Sequence, residues 1–196
     1  MTCIIGMFDE KNDCVWIGGD SMGSNGYTQS IYSNPKIFHH YLNKNVIFGS
    51  TSTFRHIDLL QYSEKLLPEL DFYKEKEIDR KYMVQTFIPN LIELFQRGIY
   101  ESENERGGTF IMGAVNKLFE IQADYSVLEP KCGYCAVGSG QVAALGSLYA
   151  TTTCYPEWDC KKHIRLGLEA AEKHCCGVQR PFRIINTLNE EEEIFE

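Results

Sequence analysis

The chain has 196 residues, 43% of them hydrophobic and 23% charged, with a formal net charge of −8. That size and balance point to one soluble globular domain with a sizeable core, and the acidity argues against a nucleic-acid partner, because phosphate binding needs clustered Lys and Arg. No apolar stretch reaches the roughly 18 residues of a membrane helix, and the start lacks the basic region and cleavage site of a secretory signal, so a cytoplasmic location is expected.

Met1-Thr2-Cys3-Ile4-Ile5-Gly6-Met7-Phe8 is an apolar run rich in β-formers, which predicts a first strand starting at the N-terminus. Chain ends ordinarily fray, so a terminus tied into a sheet needs a reason. Thr2 has a side chain small enough for initiator methionine to be removed. Removal would leave a hydroxyl and a free α-amine on one residue, which is a nucleophile with its own base. Taken alone, the run reads better as a plain strand with an exposed Thr, and the rest of the chain must decide.

Asp9-Glu10-Lys11-Asn12-Asp13 makes a polar turn into a second strand over residues 14–19, giving a hairpin. Gly18-Gly19-Asp20-Ser21 ends that strand with an acid after two glycines. Tyr27 to Ser33 and Pro35-Lys36-Ile37-Phe38 are strand-like, and Leu42-Asn43-Lys44-Asn45 turns into a buried strand, Val46-Ile47-Phe48-Gly49. Ser50-Thr51-Ser52-Thr53 offers hydroxyl caps for a helix whose apolar spacing continues to about Pro68. A second helix is expected from Asp79 to Tyr100, with Pro89 predicting a kink or an earlier break.

Strands follow at Thr109–Val115, Leu118–Ala123, Ser126–Leu128 and Gly133–Val137. Gly138-Ser139-Gly140 then leads into helices over Gln141–Thr151 and Pro156–His174, and Arg183–Leu188 is a last strand. Strands, two helices, strands, two helices, strand: this order predicts an α+β, four-layer αββα sandwich, two antiparallel sheets between helix pairs. It occupies residues 1–196 as one domain, ending in a solvated acidic tail over residues 189–196.

Two motifs compete for a cofactor reading. Cys132-x-x-Cys135 has metal-like spacing, but no second pair follows in register, and the eight cysteines read better as reduced thiols than as a disulfide framework. Gly138-Ser139-Gly140-Gln141-Val142-Ala143 fits the dinucleotide fingerprint G-x-G-x-x-A. The chain after it supplies another helix where a nucleotide-binding unit needs a strand ending in an acid. A turn that packs tightly is the better reading, and neither a cofactor nor a metal is expected.

Taken together, Thr2, Asp20, Lys36, the Ser50–Ser52 turn and the Gly138-Ser139-Gly140 helix start resemble the N-terminal-nucleophile hydrolases, within them the proteasome β-subunits and the bacterial proteasome-like peptidases. Lys36 stands sixteen residues after Asp20, as in that family. Phe119-Glu120-Ile121, Ala136-Val137-Gly138-Ser139-Gly140 and Ala144-Leu145-Gly146 are similar to its second-sheet strand and Gly-Ser-Gly turn. The resemblance implies Thr2 as nucleophile, its amine as base, Lys36 as the cation that depresses the amine's pKa, and Asp20 as the counter-charge. It implies a backbone N–H of Ser52 as oxyanion donor, where the family usually has glycine, and Ser139 as a hydrogen-bond partner near the Thr2 amine. The family's late Asp-x-x-Ser has Lys173 and Cys176 in its place, and Cys3 is a second nucleophile should processing remove Thr2. The implied activity is threonine-type hydrolysis of peptides or unfolded protein within a homo-oligomeric ring, with any unfoldase partner unknown. The alternatives are a catalytically inactive assembly or scaffold subunit, and an amidase acting on a small molecule.

Overall fold

The computed structural model describes residues 1–24, 27–51, 53–67, 78–98 and 108–196. The chain opens with a hairpin of β1 (Ile4–Asp9) and β2 (Cys14–Gly19), and a smaller hairpin of β3 (Met22–Ser24) and β4 (Gln29–Ile31) follows. Next come β5 (Ile37–His39), β6 (Val46–Ser50) and α1 (Phe54–Tyr62). A helical stretch starts with α2 (Arg80–Tyr82) and, through one wide turn at Met83–Phe87, continues as α3 (Ile88–Gly98). The second half contains β7 (Phe110–Ala114), β8 (Lys117–Ile121), β9 (Val127–Leu128) and β10 (Tyr134–Val137). It closes with α4 (Gln141–Cys154), α5 (Cys160–His174), β11 (Phe182–Asn186) and β12 (Glu193–Phe195).

Among the described residues two five-stranded antiparallel sheets form, in the orders β10-β1-β2-β11-β12 and β5-β6-β7-β8-β9. They stack face to face, with helices on both outer faces: the αββα sandwich expected from the element order. Alternation along β1 shows why its first five residues carry no polar side chain. Ile4 enters the layer between the sheets with Ile17, Ile37, Ile47 and Ile111, while Cys3 and Ile5 face α4 and α5 with Leu148, Ile164 and Leu168. Both faces of the strand are buried, so both sets of alternate residues are apolar. In β6, Ile47 faces the other sheet, and Val46 and Phe48 face α1 and α3.

Three elements differ from the sequence expectation. Pro89 neither breaks the helix nor ends it: Ile88 N–H reaches back five residues to Met83 O, and this wider turn absorbs the hydrogen bond that proline cannot make. The first helix stops at Tyr62, and Pro68 and Tyr100 lie outside the described residues. The acidic end is not wholly solvated, because Glu193–Phe195 pairs with β11 as an edge strand, with Glu192 on Arg183 and Glu193 on Lys161.

Phe48 is the hub of the second sheet's outer core, its ring 5.8 Å from Phe38 and 6.2 Å from both Phe87 and Phe110. Phe48→Ala should cost about 3–5 kcal/mol in urea unfolding. A loss below about 1 kcal/mol would show that the outer core closes around the hole.

Candidate active site

Strand ends from both sheets meet at Thr2. β1 begins just after it, β2 delivers Asp20 just past its end, β5 begins just after Lys36, and β10 runs into Gly138. Backbone bonds fix the start of the chain between these neighbours: Gly140 N–H donates to Thr2 O (3.2 Å) and Asp20 N–H to Cys3 O (3.3 Å). Thr2 is 3% exposed.

Lys36 Nζ lies 2.8 Å from Thr2 Oγ1 and 3.0 and 2.9 Å from the two Asp20 oxygens. The Asp20 carboxylate also accepts Cys3 N–H (2.9 Å) and Met22 N–H (3.1 Å), so both of its oxygens are used twice. Burial pushes the Asp20 carboxyl up and the Lys36 ammonium down, and their attraction and hydrogen bonds oppose it. For Lys36 burial prevails, leaving an ammonium that gives up its proton more readily than a surface lysine. The same burial, with the Asp20 charge beside it, pushes the Cys3 thiol up to about 12. With Thr2 in place, Cys3 therefore stays protonated at neutral pH and is a buried core thiol.

Ser139 faces the other side of Thr2, its Oγ accepting from Thr2 N (3.1 Å) and donating to Thr2 O (3.3 Å). The Gly-Ser-Gly turn is what permits this approach. Gly138 has φ +97°, and a Cβ there would lie 2.3 Å from Thr2 O. Its conformation and its missing side chain are both required by the Thr2 carbonyl. In this structure the G-x-G-x-x-A pattern seats a backbone, in keeping with the tight-turn reading.

Thr2, Asp20, Lys36 and Ser139 are thus brought together, while Ser52 lies outside the described residues. The N-cap of α1 is Thr53, whose side chain accepts from His56 N–H; Thr51 instead bonds Thr109 O through both its N–H (3.2 Å) and its hydroxyl (2.9 Å). Sequence reasoning did not single out one neighbour of the cluster. The thiol that reaches the cluster is Cys175, its Sγ 3.4 Å from Ser139 Oγ, whereas Cys176 is exposed. Glu172, three residues before Cys175, is taken by Arg180 at 2.9 and 3.0 Å. Two adjacent cysteines follow α5, and the turn after the helix brings the first of them to Ser139.

A separate cleft of about 450 Å³ lies at the far end of β1, lined by Phe8, Asp9, Trp158 and His163 among others, away from Thr2. Among the described residues no group of three or more His, Cys, Asp or Glu side chains is placed to hold a metal ion, and no helix is long and apolar enough to cross a membrane.

A buried ion pair loses more from having one partner removed than from having both replaced. Lys36→Met should therefore cost about 3–5 kcal/mol in urea unfolding, with part of the loss regained in Asp20→Asn/Lys36→Met. Strictly additive losses would mean that the two groups do not depend on each other.

No protein-family model and no curated protein sequence matches the chain. Solved structures do. A Thiobacillus denitrificans protein, BPH, in complex with epoxomicin superposes with a TM-score of 0.73 at 19% identity, over 96% of this chain and 99% of that one. HslV from Trypanosoma brucei gives 0.66 at 20% identity over 94% and 98%. Anbu, an ancestral β-subunit from Yersinia bercovieri, gives 0.68 at 12% identity over 99% and 86%. Along nearly its whole length, the chain has the fold of the proteasome-like N-terminal-nucleophile hydrolases.

Proposed function

We propose that this chain is a threonine-type hydrolase of amide bonds in peptides or unfolded protein, with Thr2 as nucleophile once Met1 is removed. The observation that carries the reading is the buried Lys36 ammonium, 2.8 Å from Thr2 Oγ1 and held there by Asp20. Such a cation favours the alkoxide-like oxygen that develops as the hydroxyl attacks a carbonyl. In a chain beginning at Thr2, the proton passes from Oγ1 to the Thr2 amine, whose ordinary pKa of about 7.7–8.0 already suits a base at neutral pH. Lys36 depresses that pKa further, because two cations at close range repel. The acyl-enzyme then forms on Oγ1, the leaving amine takes the proton, and water releases the acyl group by the same route in reverse. The position assigned to the oxyanion donor is the backbone N–H of Ser52, and Ser139 holds the amine.

The likeness to HslV and to the Anbu β-subunit supports assembly of this chain with copies of itself, which we read as a homo-oligomeric ring working in the cytoplasm. A small-molecule amide is the alternative substrate, and profiling peptides against simple amides separates the two. A non-catalytic assembly or scaffold role has its own observation: the Met1 carbonyl accepts from both Thr2 Oγ1 and Lys36 Nζ. While Met1 is attached, the Thr2 nitrogen is an amide and no base is present.

Intact mass with N-terminal sequencing, followed by peptide hydrolysis, decides the matter. Loss of one methionine is expected, with Thr2→Ala then lowering kcat/KM by roughly 10³-fold or more. Retained Met1 in protein from cells with normal methionine removal, or unchanged hydrolysis in Thr2→Ala, would overturn the reading.

A further inference from the structure

The cleft at the far end of β1 encloses about 450 Å³ between the β1–β2 turn, the start of β10 and the first turn of α5, a volume that suits a small organic molecule. Its walls are fixed by contacts within the chain. Trp158 stacks on Tyr155 with ring centroids 4.2 Å apart and has Lys162 Nζ 3.6 Å from its own centroid. Phe8 N–H donates to Gly133 O at 2.7 Å, and the buried His163 ring meets Thr151 Oγ1 at 2.9 Å. A ligand therefore meets a formed site and has little to order.

One charge is built into these walls. Asp9, 8% exposed, accepts from Lys11 N–H (3.0 Å), Asn12 N–H (3.2 Å), Asn12 Nδ2 (2.8 Å) and Trp16 Nε1 (3.3 Å). Burial pushes its carboxyl up, but these bonds outweigh burial and hold it below its usual range, so it is ionised at neutral pH. Every one of those donors is neutral. Asp20 is buried against Lys36, whereas Asp9 forms no ion pair among the described residues. The other buried groups here stay neutral: burial and the Asp9 charge push the Cys160 thiol up to about 12, and burial pulls the His163 imidazole down. At the exposed rim Glu10, Glu157 and Asp159 stand against Lys11, the one lysine or arginine among the lining residues.

We propose that the cleft binds a small organic ammonium ion with an aromatic body, its charge answering Asp9 and its ring lying against Phe8, Tyr134 and Trp158. A buried carboxylate satisfied only by neutral donors is an uncompensated charge, and an entering cation supplies what it lacks. Four hydrogen bonds already occupy the lone pairs of Asp9, so the attraction is one of charge. Acceptors for the ammonium N–H groups come from Thr152, whose hydroxyl gives its proton to Leu148 O, and from Asp159, which uses Oδ1 on Lys162 N–H. A metal ion would need several converging ligands, and no such group is found among the described residues.

Both tryptophans of the chain report on the site, since Trp158 lines it and Trp16 donates to Asp9. Their ¹⁵N-indole resonances in the full chain should shift saturably with phenethylamine, with Kd about 1 mM or tighter. The neutral counterpart 2-phenylethanol should bind at least about tenfold more weakly. Asp9→Asn should weaken the amine roughly tenfold and leave the alcohol unchanged. Where that variant loosens the turn, the exposed pair Glu10→Gln/Glu157→Gln serves instead and should weaken the amine about threefold. Equal affinity for amine and alcohol would reduce the cleft to an apolar hollow and overturn the proposal, as would no saturable shift of either indole or an amine affinity unmoved in the folded variant. Neither readout involves Thr2, so the result stands apart from the hydrolase reading.

Discussion

The contact on which the rest depends is the ion pair between Asp20 and Lys36, with side chains 0% and 5% exposed. Burying two charges costs several kcal/mol per ion unless each finds a full set of partners. Asp20 receives that set from the backbone N–H groups of Cys3 and Met22 and from both approaches of Lys36. Because Asp20 follows β2 in one sheet and Lys36 precedes β5 in the other, the pair bridges the sandwich at the end where Thr2 lies. Elsewhere the sheets are joined by an apolar layer centred on Ile4, Ile17, Ile37 and Ile47, which is non-directional. At the Thr2 end the pair specifies where one sheet stands relative to the other, as Thr187 on Val115 O and Asn116 on Asp13 do at the opposite end.

Thr2 is placed as a consequence. Its hydroxyl meets Lys36, its nitrogen and carbonyl meet Ser139, and its carbonyl also meets the N–H of Gly140. A residue bonded at three backbone or side-chain positions so near the start of a chain does not fray, which answers why the first strand begins where it does. Two positions in the surroundings are emptied for it. Gly138 yields space to its carbonyl oxygen, 2.3 Å from where a Cβ would stand, and Gly177 yields it to Met1 and Ser139, 2.5 and 2.9 Å from a Cβ there.

Much of this was legible in the sequence, for identifiable reasons. Strands such as β1 and β6 are buried on both faces and so read as continuous apolar runs, and α5 repeats its buried Ile164, Leu168 and Ala171 at helical spacing. The charged cluster was legible through the family resemblance, which pairs an acid after two small residues with a lysine sixteen residues on, as Gly18-Gly19-Asp20 and Lys36 stand here. What escaped was decided by tertiary contact. Glu193–Phe195 carries one strand-forming pair amid acids, and it becomes β12 because Arg183 and Lys161 neutralise Glu192 and Glu193 along β11 and α5. Local composition favoured a loose tail, and partners on β11 and α5, nine and 32 residues away, overrode it. Likewise, Cys175 and Cys176 are indistinguishable as letters, and only the turn after α5 determines which thiol faces Ser139.

Lys36 has a use in either state of the N-terminus. With Met1 attached, its ammonium is 3.4 Å from the Met1 carbonyl and 2.8 Å from Thr2 Oγ1, so it holds the linking peptide and the hydroxyl together. On the proposed reading, a chain starting at Thr2 lacks that carbonyl and carries a new amine on the residue whose hydroxyl the same ammonium holds. Two cations cannot share the space, and Asp20 can neutralise only one of them. Lys36 already holds Asp20 by two hydrogen bonds, so the amine is the group that stays neutral. On the proposed reading of Thr2 as nucleophile, the pair that bridges the sandwich in the first state would also favour a neutral amine, and so a base, in the second.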